Sequence, residues 1–97
     1  ILHPILKKLG VKEILRIKAN LTLKQNEHIQ SDMHIDYKDC KTAIFYLNTN
    51  NGYTLFDKGD KIPSQENRVV EFDSNLKHCA VDHTDVKYRI VINFNYL

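Results

Sequence analysis

The run Lys87-Tyr88-Arg89-Ile90-Val91-Ile92-Asn93-Phe94-Asn95-Tyr96 decides the fold. Its side chains alternate with a period of two, the period of a β-strand. Ile90, Ile92, Phe94 and Tyr96 fall on one face; Arg89, Val91, Asn93 and Asn95 fall on the other. The first face is apolar and must pack on something apolar, for which the helical stretch at the start of the chain is the expected partner. The second face is polar. It suits bulk solvent, as on one side of many antiparallel sheets, or the wet interior of a small barrel. In a barrel, Arg89 supplies a fixed planar cation for a ligand carboxylate, where bidentate pairing is strong.

The same period recurs upstream. Arg16 to Lys24 places apolar residues at odd positions and polar ones at even positions, which predicts a half-buried strand. Asn26 to Asp32 reads as a loop, Met33 to Tyr37 as a short strand and Lys38-Asp39-Cys40 as a turn. Thr42 to Asn48 is rich in β-branched and aromatic residues and reads as a strand. Thr49-Asn50-Asn51-Gly52 then predicts a hairpin back into Tyr53 to Phe56, because Asn-Gly accepts positive φ at little cost. Asp57 to Pro63 reads as a turn region. Arg68 to Phe72 and Lys77 to Val81 are further strands on either side of Asp73-Ser74-Asn75, and His83-Thr84-Asp85 is a loop. Short strands at even spacing indicate an antiparallel sandwich or barrel. At the other end, Leu2, Ile5, Leu6 and Leu9 have helical spacing over Ile1 to Leu9, and Gly10 is a stop signal. This short helix reads as the remnant of a longer N-terminal region, so residues 1–97 are expected to form one domain shortened at that end.

Composition narrows the setting. Apolar content of 42% and charged content of 27% are those of an ordinary globular chain. A formal charge of +2, with both signs well mixed, leaves no basic stripe, so nucleic-acid binding is not expected. No apolar run is long enough for a membrane span. Cys40 and Cys79 form no CxxC pair, which argues against a disulfide framework or zinc knuckle. A reducing, cytoplasmic setting is expected.

The chemistry is carried by His34-Ile35-Asp36, followed far downstream by His78. Residues i and i+2 of a strand project to one face, so His34 and Asp36 point together. Two imidazoles and one carboxylate are the donor set of the facial triad that holds Fe(II) and leaves positions open on its other side. An isolated HxD is a weak signal in a chain with five histidines and twelve acidic residues. The order of HxD, intervening strands, a second His and then Arg89 adds the weight. His3, His28 and His83 lack such a setting and read as solvated.

These segments together resemble the 2-oxoglutarate- and Fe(II)-dependent oxygenases, in particular the prolyl-4-hydroxylase-like branch. The resemblance rests on Met33 to Tyr37, Thr42 to Asn48, Gly52 to Phe56, Asn67 to Phe72, His78 and Arg89 to Phe94, roughly two-thirds of the chain. It implies a double-stranded β-helix, or jelly-roll, mainly β with the N-terminal helix laid on the larger sheet. It implies His34, Asp36 and His78 as iron ligands and Arg89 as the partner of the far carboxylate of 2-oxoglutarate. Tyr46 would hydrogen-bond that same carboxylate. Ile44, Thr54, Val91, Asn93 and Asn95 would line the pocket. The implied reaction decarboxylates 2-oxoglutarate to succinate with dioxygen and hydroxylates a small-molecule or peptide substrate, a peptidyl-proline-like group by resemblance.

Two features depart from that branch. The step from His78 to Arg89 is longer than usual, which makes Lys87 a competing cation of the same parity. The glycine pair before the fourth strand is Asn51-Gly52 here. Two other readings stay open: a non-enzymatic jelly-roll binding domain, and a cupin-like metalloenzyme. A cupin site commonly adds a third histidine near the first, and Asp36 stands there instead. The nine-residue helix is too short to cover the whole apolar sheet face. A second copy in a homodimer, or an N-terminal segment, is therefore expected on it.

Overall fold

Runs of β-branched and aromatic residues form the strands of the computed structural model, which describes residues 2–97. Ile1, which the helical spacing includes, lies outside the described residues. The elements are α1 (His3–Leu9), β1 (Ile14–Leu23), β2 (Lys41–Tyr46), β3 (Tyr53–Phe56), β4 (Lys61–Pro63), β5 (Arg68–Asp73), β6 (His78–Val81) and β7 (Tyr88–Tyr96). They build two antiparallel sheets, one in the order β1-β7-β2-β5 and the other β4-β3-β6. The protein is a mainly β jelly-roll with one short helix. No helix among the described residues is long and apolar enough to cross a membrane.

Two apolar cores follow from the alternation. Between the sheets, Ile44, Tyr46, Phe72 and Val91 meet Phe56 of the smaller sheet. Phe56 and Phe72 pack edge-to-face with centroids 4.8 Å apart, a favoured aromatic geometry. On the outer side, Ala43, Phe45, Phe94 and Tyr96 are covered by Leu2, Ile5, Leu6 and Leu9. Pro4 sits in the first turn of α1, where its missing N–H costs nothing. Gly10 ends the helix at φ 69°, and its N–H reaches the Lys7 carbonyl at 3.1 Å. The one-face helix thus lies on the larger sheet and buries its centre.

Several local expectations differ from the structure. Asn51-Gly52 is not a hairpin turn. β2 and β3 lie in different sheets, so the connection crosses between layers. Gly52 is not among the residues of positive φ. The hairpin comes later, where β3 pairs with β4 through a turn carrying Gly59 at φ 99°. Met33 to Tyr37 forms no continuous strand and contributes one bridge, His34 with His78. The preceding loop also pairs once, Gln30 with Val81. His83 is not solvated but fully buried, and neither ring nitrogen meets a protein partner. Its loop is pinned inward because Asn51 bonds Thr84 and Asp85, and the Gln25 N–H donates to the His83 carbonyl at 3.1 Å.

Strand β1 reverses its expected faces. Ile17, Leu21 and Leu23 are 45%, 61% and 65% exposed, whereas Asn20 and Thr22 turn partly inward. The reason is position: β1 is an edge strand, and α1 lies over β2 and β7 and leaves the apolar side of β1 uncovered. An exposed apolar edge strand promotes association. The expected result is concentration-dependent self-association in sedimentation velocity at micromolar protein, removed by Leu21→Lys with Leu23→Lys. A monomeric wild-type chain at those concentrations counts against it.

Candidate metal centre and its cavity

His34 and His78 are backbone neighbours. Each N–H donates to the other's carbonyl, at 2.9 and 3.0 Å. This pair joins the loop before β2 to the start of β6 and sets the two imidazoles side by side, with centroids 4.8 Å apart. Asp36 lies next to both: His34 Nε2 is 3.2 Å from Oδ1, and His78 Nε2 is 3.6 Å from Oδ2. The three candidate donor atoms all lie within 4.8 Å of one another.

The rings are also oriented. His34 Nδ1 lies 2.9 Å from the Asp32 carbonyl, and His78 Nδ1 lies 3.2 Å from the Leu76 carbonyl. A carbonyl only accepts, so each Nδ1 is the donor, and each Nε2, which faces Asp36, is the nitrogen that would bind a metal once it has lost its proton. Backbone orientation of the second ring nitrogen is the usual support of a metal-binding histidine. The His78 ring holds the Asp36 carboxyl below its ordinary range; partial burial opposes this, and the nearby His34 and Arg16 add to it. Asp36 is therefore ionised at neutral pH, as a ligand must be. Facial coordination with bonds of ~2.1 Å needs donors about 3 Å apart. His34 Nε2 and Asp36 Oδ1, 3.2 Å apart, already have that spacing. The donor set fits a divalent metal.

A cavity of about 240 Å³ opens beside these residues. His34, Ile44, Thr54, His78, Arg89, Val91 and Asn93 all line it. Arg89 is 4% exposed, and its Nε donates to Ser64 Oγ at 3.0 Å. Among the described residues no carboxylate lies within salt-bridge distance of it, since the ion pairs all involve Asp36. Burial pushes the guanidinium pKa down, against the favourable influence of Tyr46 and Asp82. A buried arginine keeps its charge, so the cavity offers a cation with no carboxylate in direct contact. Gly52 makes room for it: a Cβ there would stand 3.2 Å from Arg89 Cδ and 2.9 Å from the Val81 carbonyl.

Tyr46 is buried beneath the lining, and its hydroxyl meets Thr54 Oγ1 at 2.7 Å. Burial raises its pKa, so the phenol stays protonated. Asn95 does not line the cavity: its Nδ2 donates to Thr42 Oγ1 at 2.9 Å in a buried pair. Lys87 is exposed and outside the cavity, which leaves Arg89 as its cation. The sequence reading missed Asn20, Leu21, Thr22, Cys79 and Ala80 in the lining. Asn20 and Thr22 share the even face of β1 and stand opposite Val91 and Arg89. Their polarity was the signal, but it matches that of a solvated face.

No protein-family model matches the chain. No curated protein matches it either. Solved structures do. A cupin protein from Bacteroides fragilis superposes with a TM-score of 0.64 at 15% identity, covering 95% of this chain and 72% of that one. An RmlC-like cupin protein from Desulfovibrio desulfuricans gives 0.55 at 15% identity, covering 84% and 82%. A protein from Neisseria meningitidis gives 0.53 at 14% identity, covering 88% and 81%. At such identities the likeness is one of fold, and it places the chain's architecture with the cupin-type jelly-rolls.

Proposed function

We propose that the chain is an Fe(II)- and 2-oxoglutarate-dependent dioxygenase that hydroxylates a small-molecule or peptide substrate. One observation carries this reading: two imidazoles that meet the Asp36 carboxylate line a cavity that also holds the buried Arg89, which forms no salt bridge among the described residues. His34, Asp36 and His78 would hold the iron. When bound, the iron supplies the redox chemistry that couples dioxygen to oxidation of 2-oxoglutarate and substrate. Arg89 binds the distal carboxylate, with its fork held by Ser64. Ile44, Val91, Thr54 and Asn93 shape the space between. About 240 Å³ is below the usual ~300–1,000 Å³ of drug-sized sites, which suits a small dicarboxylate and leaves the substrate to approach from the exposed His34 side.

Tyr46 stands behind the lining and reaches the cavity through Thr54. Its hydroxyl already has Thr54 as a partner, so its help to the carboxylate is modest. Tyr46→Phe is expected to weaken 2-oxoglutarate by ~0.5–1.5 kcal/mol, read by isothermal titration. The function itself is tested by anaerobic titration with Fe(II) and 2-oxoglutarate, then by succinate detection after oxygen is admitted. Succinate formation that needs both additions supports the proposal. The likeness in fold to cupin structures is compatible with a second reading, a metal-binding cupin that uses no 2-oxoglutarate. It is distinguished by metal binding without succinate.

A further inference from the structure

Asp36 is the least anchored of the three candidate ligands. Among the described residues, no backbone hydrogen bond holds positions 35 to 38. His34 fixes the segment from one side. From the other, the chain is fastened just after Asp36 to the turn between β5 and β6. The Asp39 N–H donates to Asn75 Oδ1 at 3.3 Å, and Asn75 Nδ2 donates back to Asp39 Oδ1 at 3.2 Å. The Cys40 N–H donates to Ser74 Oγ at 2.9 Å, and the Ser74 N–H donates to the Cys40 carbonyl at 3.0 Å. Ser74 is 1% exposed. Asp39 adopts φ 59°, a left-handed conformation that Asp and Asn tolerate better than other side chains.

The same turn orients His78. The Asn75 N–H donates to Asp73 Oδ1 and the Leu76 N–H to the Asp73 carbonyl, at 2.9 and 3.0 Å. The Leu76 carbonyl, so fixed, lies 3.2 Å from His78 Nδ1. One turn therefore governs two ligands at once: Asp36 through the fastening at Asp39 and Cys40, and the His78 ring through the Leu76 carbonyl.

We infer that Asp39, Ser74 and Asn75 are positioning residues of the metal centre, a clamp that sets Asp36 against His78. This rests on the reading of His34, Asp36 and His78 as ligands. Groups that orient ligands commonly change metal affinity by about 10–100-fold when removed.

The experiment uses Co(II) alone as the probe and the full chain. It reads affinity by competition titration, coordination geometry by the visible absorption spectrum, and stability of the metal-free protein by Tm. Ser74→Ala and Asn75→Ala should each weaken Co(II) by about tenfold or more and alter the spectrum. Asp39→Asn keeps both the acceptor oxygen and the tolerance of positive φ, so it should retain the wild-type affinity and spectrum. Gly10→Ala, at the distant end of α1, should lower Tm and leave both unchanged. Should Ser74→Ala fail to fold, the exposed Asn75 carries the test. Co(II) binding to the wild type with unchanged affinity and spectrum in Asn75→Ala overturns the clamp and spares the ligand assignment. A wild-type chain that binds no Co(II) overturns both.

Discussion

His34→Ala and His78→Ala are each expected to abolish Fe(II) binding under anaerobic titration. The three donors come from two chain segments joined by the reciprocal His34–His78 backbone pair. Removing one imidazole leaves two ligands, too few for a protein site that must also resist water. The two variants differ in side effects. His34 is exposed on its side chain, so its removal leaves the fold intact. His78 is buried and packs on Phe72 with centroids 5.0 Å apart, so His78→Ala also costs stability. His34→Ala is thus the cleaner test, with circular dichroism confirming the fold. His28→Ala is the control, because His28 lies away from the site with Nδ1 on the Asp82 carbonyl. Full-strength Fe(II) binding in both site variants would remove the assignment.

Arg89→Ala is expected to weaken 2-oxoglutarate by roughly 2–4 kcal/mol, about 30- to 900-fold in Kd. The magnitude follows from burial: a charge-assisted pair formed away from water is stronger than a surface pair, and the carboxylate left behind has no other cation in the cavity. Arg89→Ala also removes the bond to Ser64 and the packing of a buried side chain, so circular dichroism must confirm the fold. Arg89→Lys keeps the charge but not the planar fork, and an intermediate loss is expected. Lys87→Ala should leave affinity unchanged, since Lys87 is exposed outside the cavity. Isothermal titration with Fe(II) present reads all three. The reverse pattern, with Lys87 essential and Arg89 silent, would show that the final strand presents the other cation.

What could be read in advance was local. The alternation in Tyr88–Tyr96 and in Lys41–Tyr46 appears as β7 and β2, because a strand's two faces depend only on parity. Gly10 marks the end of α1 for an equally local reason, its left-handed φ. Parity also brought Ile44, Arg89, Val91 and Asn93 to one cavity wall, since β2 and β7 are adjacent. The misreadings arose where distant segments compete. Asn51-Gly52 has the chemistry of a hairpin, but β2 found its partners in β5 and β7 and β3 found its own in β4 and β6. Leu21 and Leu23 have the pattern of a buried face, but burial depends on what lies opposite, and at the edge of the sheet nothing does. His83 looks solvated in sequence and is enclosed by bonds from Gln25 and Asn51.

By itself, then, the sequence determined that this chain is a β protein with one helical start, which side chains share each face of its strands, and which residue types could hold a metal or a carboxylate. These follow from backbone periodicity and side-chain chemistry, both of which act within a few residues. Only the tertiary structure decided that His34 and His78 pair through their backbones, that Arg89 rather than Lys87 enters the cavity, that Asn20 and Thr22 join it, and that the turn at Ser74 and Asn75 fastens the Asp36 loop. Each of these depends on which strands become neighbours. Strand pairing is set by the combined burial of the whole chain, a long-range balance that no single stretch of sequence contains.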